Sequence, residues 1–566
     1  MQGSSPSGAI VKLIRLELIG TYKGLKDQTF DFSSSRDDVS VLIGPNGSGK
    51  SQVMELIAEI FAYLERRQRP EFKVRDSLGF TFCVTYELTS PQIEAPIRYV
   101  IDTREGLEIR ILRDFRAPSP AAVDKVRWET VSEAVNLNEV RLPRVVGYAS
   151  GLSENLQRPF LKNAVQFHDV IRVRSRHQDE LNLAVSASRS TDAIEERYLK
   201  RHPGIFALNE EAISTDSFTL DDRDTPAPRS IFLDYDCASL LIMVIGMLDN
   251  NLLNEIWSEV PFCHPQRAIL HYDLRGHSAA KDAASDIQRL IEIAGSEKLT
   301  PRSSRSSEVQ YERYQLDHLA ADIEIDYTDP LVQRRLQENH RDPAAWFLSL
   351  YKLQLLGVAE WPSDMKKELR HDNFQGHVKK PLKGKLPLSV SELWMTNGQD
   401  AVSIDDLSDG ELQLLLTLGA VLLLGDAETL FLFDEPETHL NPSWRTRFHL
   451  DFRRANLESG LSQALISSHS PFLVSSLPRE SVFHFQRSDG ATTMDLPASE
   501  TFGASFDVLI KKHFDLKAAI SDTAISEIRS KLDSSQMSTH QKIAWLTESL
   551  GDSMERSYLI KRLGSE

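Results

Sequence analysis

The chain has 566 residues, 41 % hydrophobic and 26 % charged, proportions of a globular protein too long for one core, so two or more domains are expected. A net charge of −17 argues against a surface that coats nucleic acid throughout, and the longest apolar run, Leu414 to Leu424 broken by Thr417 and Gly419, is too short to span a bilayer. Three scattered cysteines (Cys83, Cys237, Cys263) and an N-terminus unlike a signal peptide predict a reducing, cytoplasmic setting with no membrane partner.

Residues 1–9 read as a flexible leader. Apolar positions from Ile10 to Leu18, then Phe30 and Phe32, predict two strands, and Val39 to Ile43 a third. Gly44-Pro45-Asn46-Gly47-Ser48-Gly49-Lys50-Ser51 follows, fitting G-x-x-x-x-G-K-[ST], and Val53, Leu56, Ile57, Ile60 and Phe61 open a helix behind it. Strand, glycine loop and helix in that order make a phosphate cradle. Glycines let backbone N–H groups of Asn46, Gly47, Ser48 and Gly49 face an anion, and the helix dipole favours it. Lys50 is expected to reach the β/γ-phosphates of ATP and the Ser51 hydroxyl to ligate Mg²⁺.

Phe72 to Leu112 reads as an antiparallel meander with strands at Phe80–Tyr86, Ile97–Ile101 and Leu107–Ile111. Residues 161–385 are mainly helical by pattern, with a short strand at Ile231–Leu233 and helices over Cys237–Met247 and Ala344–Leu356. Heptads are not sustained there, so a compact helical subdomain is expected rather than a coiled-coil arm. Asp234-Tyr235-Asp236 reads as a strand-end cap before it reads as a metal pair. The spacing of Cys263, His264, His271 and His277 fits no familiar zinc site. Basic clusters at Arg172–His177, Leu199–His202 and Lys366–Lys385 read as solvated faces.

Ser408-Asp409-Gly410-Glu411 has capping-box spacing and starts an apolar helix. Leu430 to Phe433 is a buried strand ending in Asp434-Glu435-Pro436. Carboxylates at the C-terminal end of a parallel strand sit where such sheets place ligands, so Asp434 is expected to hold Mg²⁺ and Glu435 to act as general base on water. His469 follows another short apolar stretch, 34 residues after Glu435.

These four elements, with Ser408 26 residues before Asp434, resemble the ABC-type ATPase heads of the SMC/RecF-like and OLD-like superfamily. The run Asp434-Glu435-Pro436-Glu437-Thr438-His439-Leu440 is similar to bacterial ATPases found beside defence nucleases. The run Val145 to Gly151 resembles a strand and turn common in these bacterial defence ATPases. Thr501 to Phe506 with its helical tail resembles the C-terminus of Septu-type antiphage ATPases, including those carried by some retrons. The resemblance implies an α/β fold: an N-terminal head lobe over 10–160, the insertion at 161–385, a C-terminal lobe over 386–505 and a helical tail at 506–566. It implies head-to-head dimers in which Ser408 and Gly410 of one copy close over ATP on the other. His469 becomes a switch residue at the γ-phosphate, and Asn441 lies in the loop that senses the other site. A glutamine contacting Mg²⁺ is expected between Gly151 and Gln157, with Gln157 the candidate. The absence of C-x-x-C excludes a zinc hook. The 95 or so residues after His469, too few for a Toprim domain and without D-x-D, speak against nuclease activity in this chain. The implied partners are a second copy, a co-encoded nuclease of HNH type, and a retron reverse transcriptase with its RNA–DNA. An ATP-driven DNA-repair or DNA-clamping protein without a nuclease partner is the alternative.

Overall fold

A computed structural model of the chain describes residues 11–35, 37–89, 96–113, 129–150, 154–206, 225–248, 250–258, 260–275, 281–338, 342–378, 386–425, 428–459, 462–488, 491–514, 520–534 and 536–565. The leader at 1–9, Gly151 and Lys379–Lys385 lie outside these. Residues 1–504 form one compact unit and 505–566 another.

The strands of the first unit are β1 (Val11–Tyr22), β2 (Leu25–Asp31), β3 (Val39–Ile43), β4 (Thr81–Leu88), β5 (Ile97–Asp102), β6 (Glu108–Arg113), β7 (Glu129–Ala134), β8 (Arg144–Ala149), β9 (Ser230–Leu233), β10 (His264–Asp273), β11 (Leu299–Pro301), β12 (Ala320–Asp326), β13 (Leu388–Thr396), β14 (Ala401–Ser403), β15 (Thr429–Asp434), β16 (Gln463–Ser467), β17 (Val482–Ser488) and β18 (Ala491–Asp495). They make three sheets. One runs β2-β1-β4-β5-β6-β7, one β11-β12-β10-β13-β14, and the largest β18-β17-β3-β16-β15-β8-β9. The predicted meander is β4–β6, paired antiparallel.

In the largest sheet β17, β3, β16, β15, β8 and β9 are all parallel. Leu432 sits in register with Leu465 and Gly147, and Ile466 with Val41. β3, β15 and β16 are buried along their whole length, which is why they read as unbroken apolar runs rather than alternating ones. A parallel sheet delivers every strand's C-terminal end to one edge. The loops after β3, β15, β16 and β8 therefore meet there, although their sequence positions span more than 400 residues.

Helix α1 (Lys50–Gln68) starts straight from the glycine loop. Its Leu56, Ile57, Ile60 and Leu64 are buried in one core with Leu13, Leu16, Val84 and Leu432, so it joins the first sheet to the largest. Burial of each such side chain stabilises by about 1.5–3 kcal/mol. The other face of α1 carries charge against α2 (Glu154–Ser186). Lys162 Nζ lies 2.8 Å from Glu59, Arg66 Nε 2.8 Å from Asp372, and Arg158 is paired with Glu55. These groups are buried, and removing one partner of such a pair costs about 3–5 kcal/mol.

Helices dominate 161–385. They are the rest of α2, α3 (Asp192–Arg201), α4 (Pro203–Phe206), α5 (Tyr235–Ile245), α6 (Asn250–Ile256), α7 (Lys281–Ala294), α8 (Glu308–Tyr314), α9 (Pro330–Glu338), α10 (Pro343–Leu355) and α11 (Ser363–Leu369). The segment does not stand apart as a helical subdomain. α2 passes unbroken through residue 160, β9 adds a strand to the largest sheet, and β10, β11 and β12 share a sheet with β13 and β14. β10 pairs with β13 over His264–Thr396 to Tyr272–Leu388. Helix α12 (Asp409–Leu424) packs on α5 so closely that a Cβ on Gly419 would lie 2.4 Å from Ile245 Cδ1. α13 (Pro442–Ser459) and α14 (Pro471–Ser475) complete the unit. The second unit is helical: α15 (Phe506–His513), α16 (Asp522–Asp533), α17 (Thr539–Ser549) and α18 (Met554–Ser565), with Lys511 and Glu555 3.6 Å apart.

Candidate nucleotide site

The glycine loop bends where only glycine fits. Gly44 takes φ 141°, and a Cβ there would lie 2.1 Å from the Phe485 carbonyl oxygen. Gly49 takes φ 110° at the N-cap of α1, and no side chain caps that helix. Its first amides thus remain available to an anion. The Ser48 hydroxyl is buried and has no hydrogen-bond partner among the described residues.

Four loop ends bring the predicted residues together. Lys50 Nζ donates to the carbonyls of Gly44 (2.9 Å) and Pro45 (3.2 Å) and stands 3.1 Å from His469 Nε2. Ser51 Oγ donates to Asp434 Oδ1 at 3.0 Å, and Ser467 Oγ donates to the same oxygen. His469 Nε2 is 3.5 Å from Glu435 Oε1. Glu435 adopts φ 52°, a backbone that costs a non-glycine residue of order 1–3 kcal/mol and persists only where its surroundings impose it. Here the imposition is visible: its N–H donates to both the carbonyl (3.1 Å) and the hydroxyl (3.2 Å) of Ser467.

Burial governs the electrostatics. It pushes the Lys50 ammonium down to about 8, against the Glu435 and Asp434 carboxylates. It pushes the Asp434 carboxyl up, against the hydroxyls of Ser467 and Ser51. It lowers His469, helped by the Lys50 charge. A neutral imidazole with an accepting Nε2 is therefore the form that faces Lys50.

Ser408 caps α12 in a full capping box: its hydroxyl accepts from the Glu411 N–H and donates to Glu411 Oε2 at 2.7 Å. Ser408 is exposed and Gly410 is buried, where a Cβ would lie 2.8 Å from the His439 carbonyl oxygen. Asn441 caps α13, accepting from the Trp444 N–H at 2.9 Å. Gln157 is buried on α2 and donates to Asp234 Oδ2 at 3.1 Å; it is committed to Asp234 and not to the Ser51–Asp434 pair. Among the described residues no three His, Cys, Asp or Glu side chains group as metal ligands. His271 bonds Asp322 at 2.8 Å and His264 bonds Asn254 at 2.8 Å; His277 lies outside the described residues.

Four residues escaped sequence reasoning. Ser467 holds Asp434 and the Glu435 amide. Gln413 on α12 donates to the Tyr148 hydroxyl (3.0 Å) and accepts from the His439 N–H (3.0 Å), tying that helix to the turn after β15. Thr438 Oγ1 donates to Glu435, with Oε2 at 3.1 Å. The fourth is Glu437, buried and bonded to the Ser468 hydroxyl. Only the Ser467-Ser468-His469-Ser470 run carried a sequence signal, as hydroxyls beside a strand-end histidine.

Residues 268–475 match the family model described as "AAA domain, putative AbiEii toxin, Type IV TA system". That span contains Ser408, Asp434, Glu435 and His469 and excludes the glycine loop. Protein ea59 of Escherichia phage lambda is 32 % identical over 111 residues, 20 % of this chain and 21 % of ea59. Among solved structures the chain is similar to the Smc head domain of Pyrococcus furiosus, solved with an extended coiled coil and the C-terminal domain of ScpA (13 % identity, 92 % of this chain and 100 % of that one, TM-score 0.28). It is also similar to the SMC head domain from Thermotoga maritima (9 % identity, 86 % and 100 %, TM-score 0.30). The α/β architecture is carried by the strand order itself. Among the described residues no helix is long and apolar enough to cross a membrane.

Proposed function

We propose that this chain binds Mg²⁺·ATP at the C-terminal edge of its largest sheet and hydrolyses it. The observation that carries the reading is that two sets of contacts meet at one sheet edge, Ser51 with Asp434 and Lys50 with His469 beside Glu435, the two carboxylates being neighbours in the chain. Ser51 Oγ and Asp434 Oδ1, 3.0 Å apart, are hard oxygen donors of the kind Mg²⁺ takes, and the uncapped start of α1 and the unpartnered Ser48 hydroxyl suit a phosphate chain. Bound there, Mg²⁺ would offset charge on the phosphate oxygens. Lys50 exchanges its loop carbonyls for β/γ-phosphate oxygens. The backbone N–H groups of Asn46, Gly47, Ser48 and Gly49 hold the same chain of phosphates. Glu435 accepts a proton from the attacking water at Oε1, and His469, beside that oxygen, orients the water; its Nε2 reaches a γ-phosphate oxygen as a donor, in the Nε2–H tautomer that the ring takes once Lys50 has turned to the phosphates.

The finer reading is that the chain pairs head to head with a second copy and controls a co-encoded HNH-type nuclease in an antiphage defence system of the Septu type, with a retron reverse transcriptase as a further partner. The family description's link to toxin–antitoxin systems supports a defence role. The exposed Ser408 at the start of α12 leaves that helix end accessible to a partner copy's phosphates. A mixing experiment tests the pairing. Ser408→Arg should disable the partner's site, so a heterodimer of Lys50→Ala and Ser408→Arg chains carries both lesions in one composite site and leaves the other whole. Each variant alone should be inactive, and the mixture should regain phosphate release. No recovery with heterodimers verified would contradict composite sites.

A further inference from the structure

Glu437 is absent from the catalytic scheme above, yet it occupies the joint of the site. It is 4 % exposed. Its Oε1 accepts from the Ser468 hydroxyl, and its Oε2 is buried with no hydrogen-bond partner among the described residues. The Ser468 hydroxyl bonds on both sides: its one hydrogen goes to Glu437, and the oxygen accepts from the Ser470 N–H at 2.9 Å. The Ser468 N–H donates to the Leu42 carbonyl at 3.0 Å, anchoring it to the end of β3.

Glu437 stands two residues after Glu435, and Ser468 one before His469. The Glu437–Ser468 bond therefore ties the turn that carries the proposed base to the turn that carries the proposed switch histidine. Those two turns belong to neighbouring strands, β15 and β16, and nothing covalent nearby fixes their separation. Burial above all pushes the Glu437 carboxyl up to about 7, with the Glu435 charge adding to the rise and the Ser468 hydroxyl and Arg445 opposing it. One oxygen unpartnered in a dry site favours the neutral acid more than in an ordinary glutamate.

We propose that Glu437 is a positioning residue for hydrolysis: through Ser468 it holds the 3.5 Å approach of His469 Nε2 to Glu435 Oε1 and touches neither nucleotide nor water. This rests on the ATPase reading above. Misplacing reacting groups by about 1 Å costs about 10²-fold in rate. Glu437→Ala in the full chain should therefore lower kcat about 10²-fold, while KM and the affinity for a non-hydrolysable ATP analogue stay within about twofold. Ser468→Ala should do the same, and the double variant should lose no more than either single, because both remove one bond. Glu437→Gln, whose amide oxygen still accepts from Ser468, should recover most of the loss. Ser468→Ala, a smaller change, decides the matter if Glu437→Ala does not fold. Wild-type turnover in both alanine variants would overturn the proposal alone, as would additive losses or a parallel loss of analogue binding. A wild-type chain that binds the analogue yet releases no phosphate would overturn the hydrolysis reading, and this one with it.

Discussion

Lys50→Ala should weaken binding of ATP, or of a non-hydrolysable analogue, by more than about 10²-fold, to the point of no detectable heat in calorimetry. Charged hydrogen bonds contribute about 1.5–3 kcal/mol each, and each 1.4 kcal/mol is about tenfold in affinity. Lys50 has two loop carbonyls to exchange for phosphate oxygens. Its ammonium is already desolvated, with its pKa lowered to about 8, so much of the cost of taking that charge out of water falls on folding rather than on binding. Thermal unfolding of the variant near that of the wild type separates loss of binding from loss of fold. Unchanged affinity would remove the phosphate-loop argument.

Glu435→Gln should leave analogue binding intact and lower turnover by about 10²–10⁴-fold, the usual contribution of one general base. The substitution keeps the size of the side chain and its contact with Thr438, so the strained turn at φ 52° is retained. Its amide cannot take the proton that water must lose. Rapid-quench measurement of a single turnover is the appropriate check, because it reads the chemical step without product release. A rate equal to wild type would mean that another residue activates the water.

Much of this site was legible because parallel strands announce themselves. Val39–Ile43 and Leu430–Phe433 are buried on both faces, so they appear as apolar runs ended by Gly44 and by Asp434. Ser408 was legible because a capping box is a local arrangement, complete within four residues. The sheet containing β10 and β13 was not. β10 and β13 are separated by more than 100 residues, and β10 interleaves His264, Arg267 and His271 among its buried positions. Register between such distant strands leaves no local trace. Gln157 was chosen for its place in the chain, and a neighbouring aspartate from a different strand end claims its amide. Glu437 enters the sequence reading only as a member of the Asp434–Leu440 run, with no role of its own; its bond to Ser468 forms only when β15 and β16 pair.

The central claim is that Ser51 and Asp434 form a metal-assisted ATP site. Phosphate release from ATP by the purified full chain, followed before and after chelation of Mg²⁺, tests it most directly. Turnover should require Mg²⁺, fall to background on chelation and return when Mg²⁺ is restored in excess. Turnover indifferent to chelation, or a chain that binds no nucleotide with Mg²⁺ present, would contradict it.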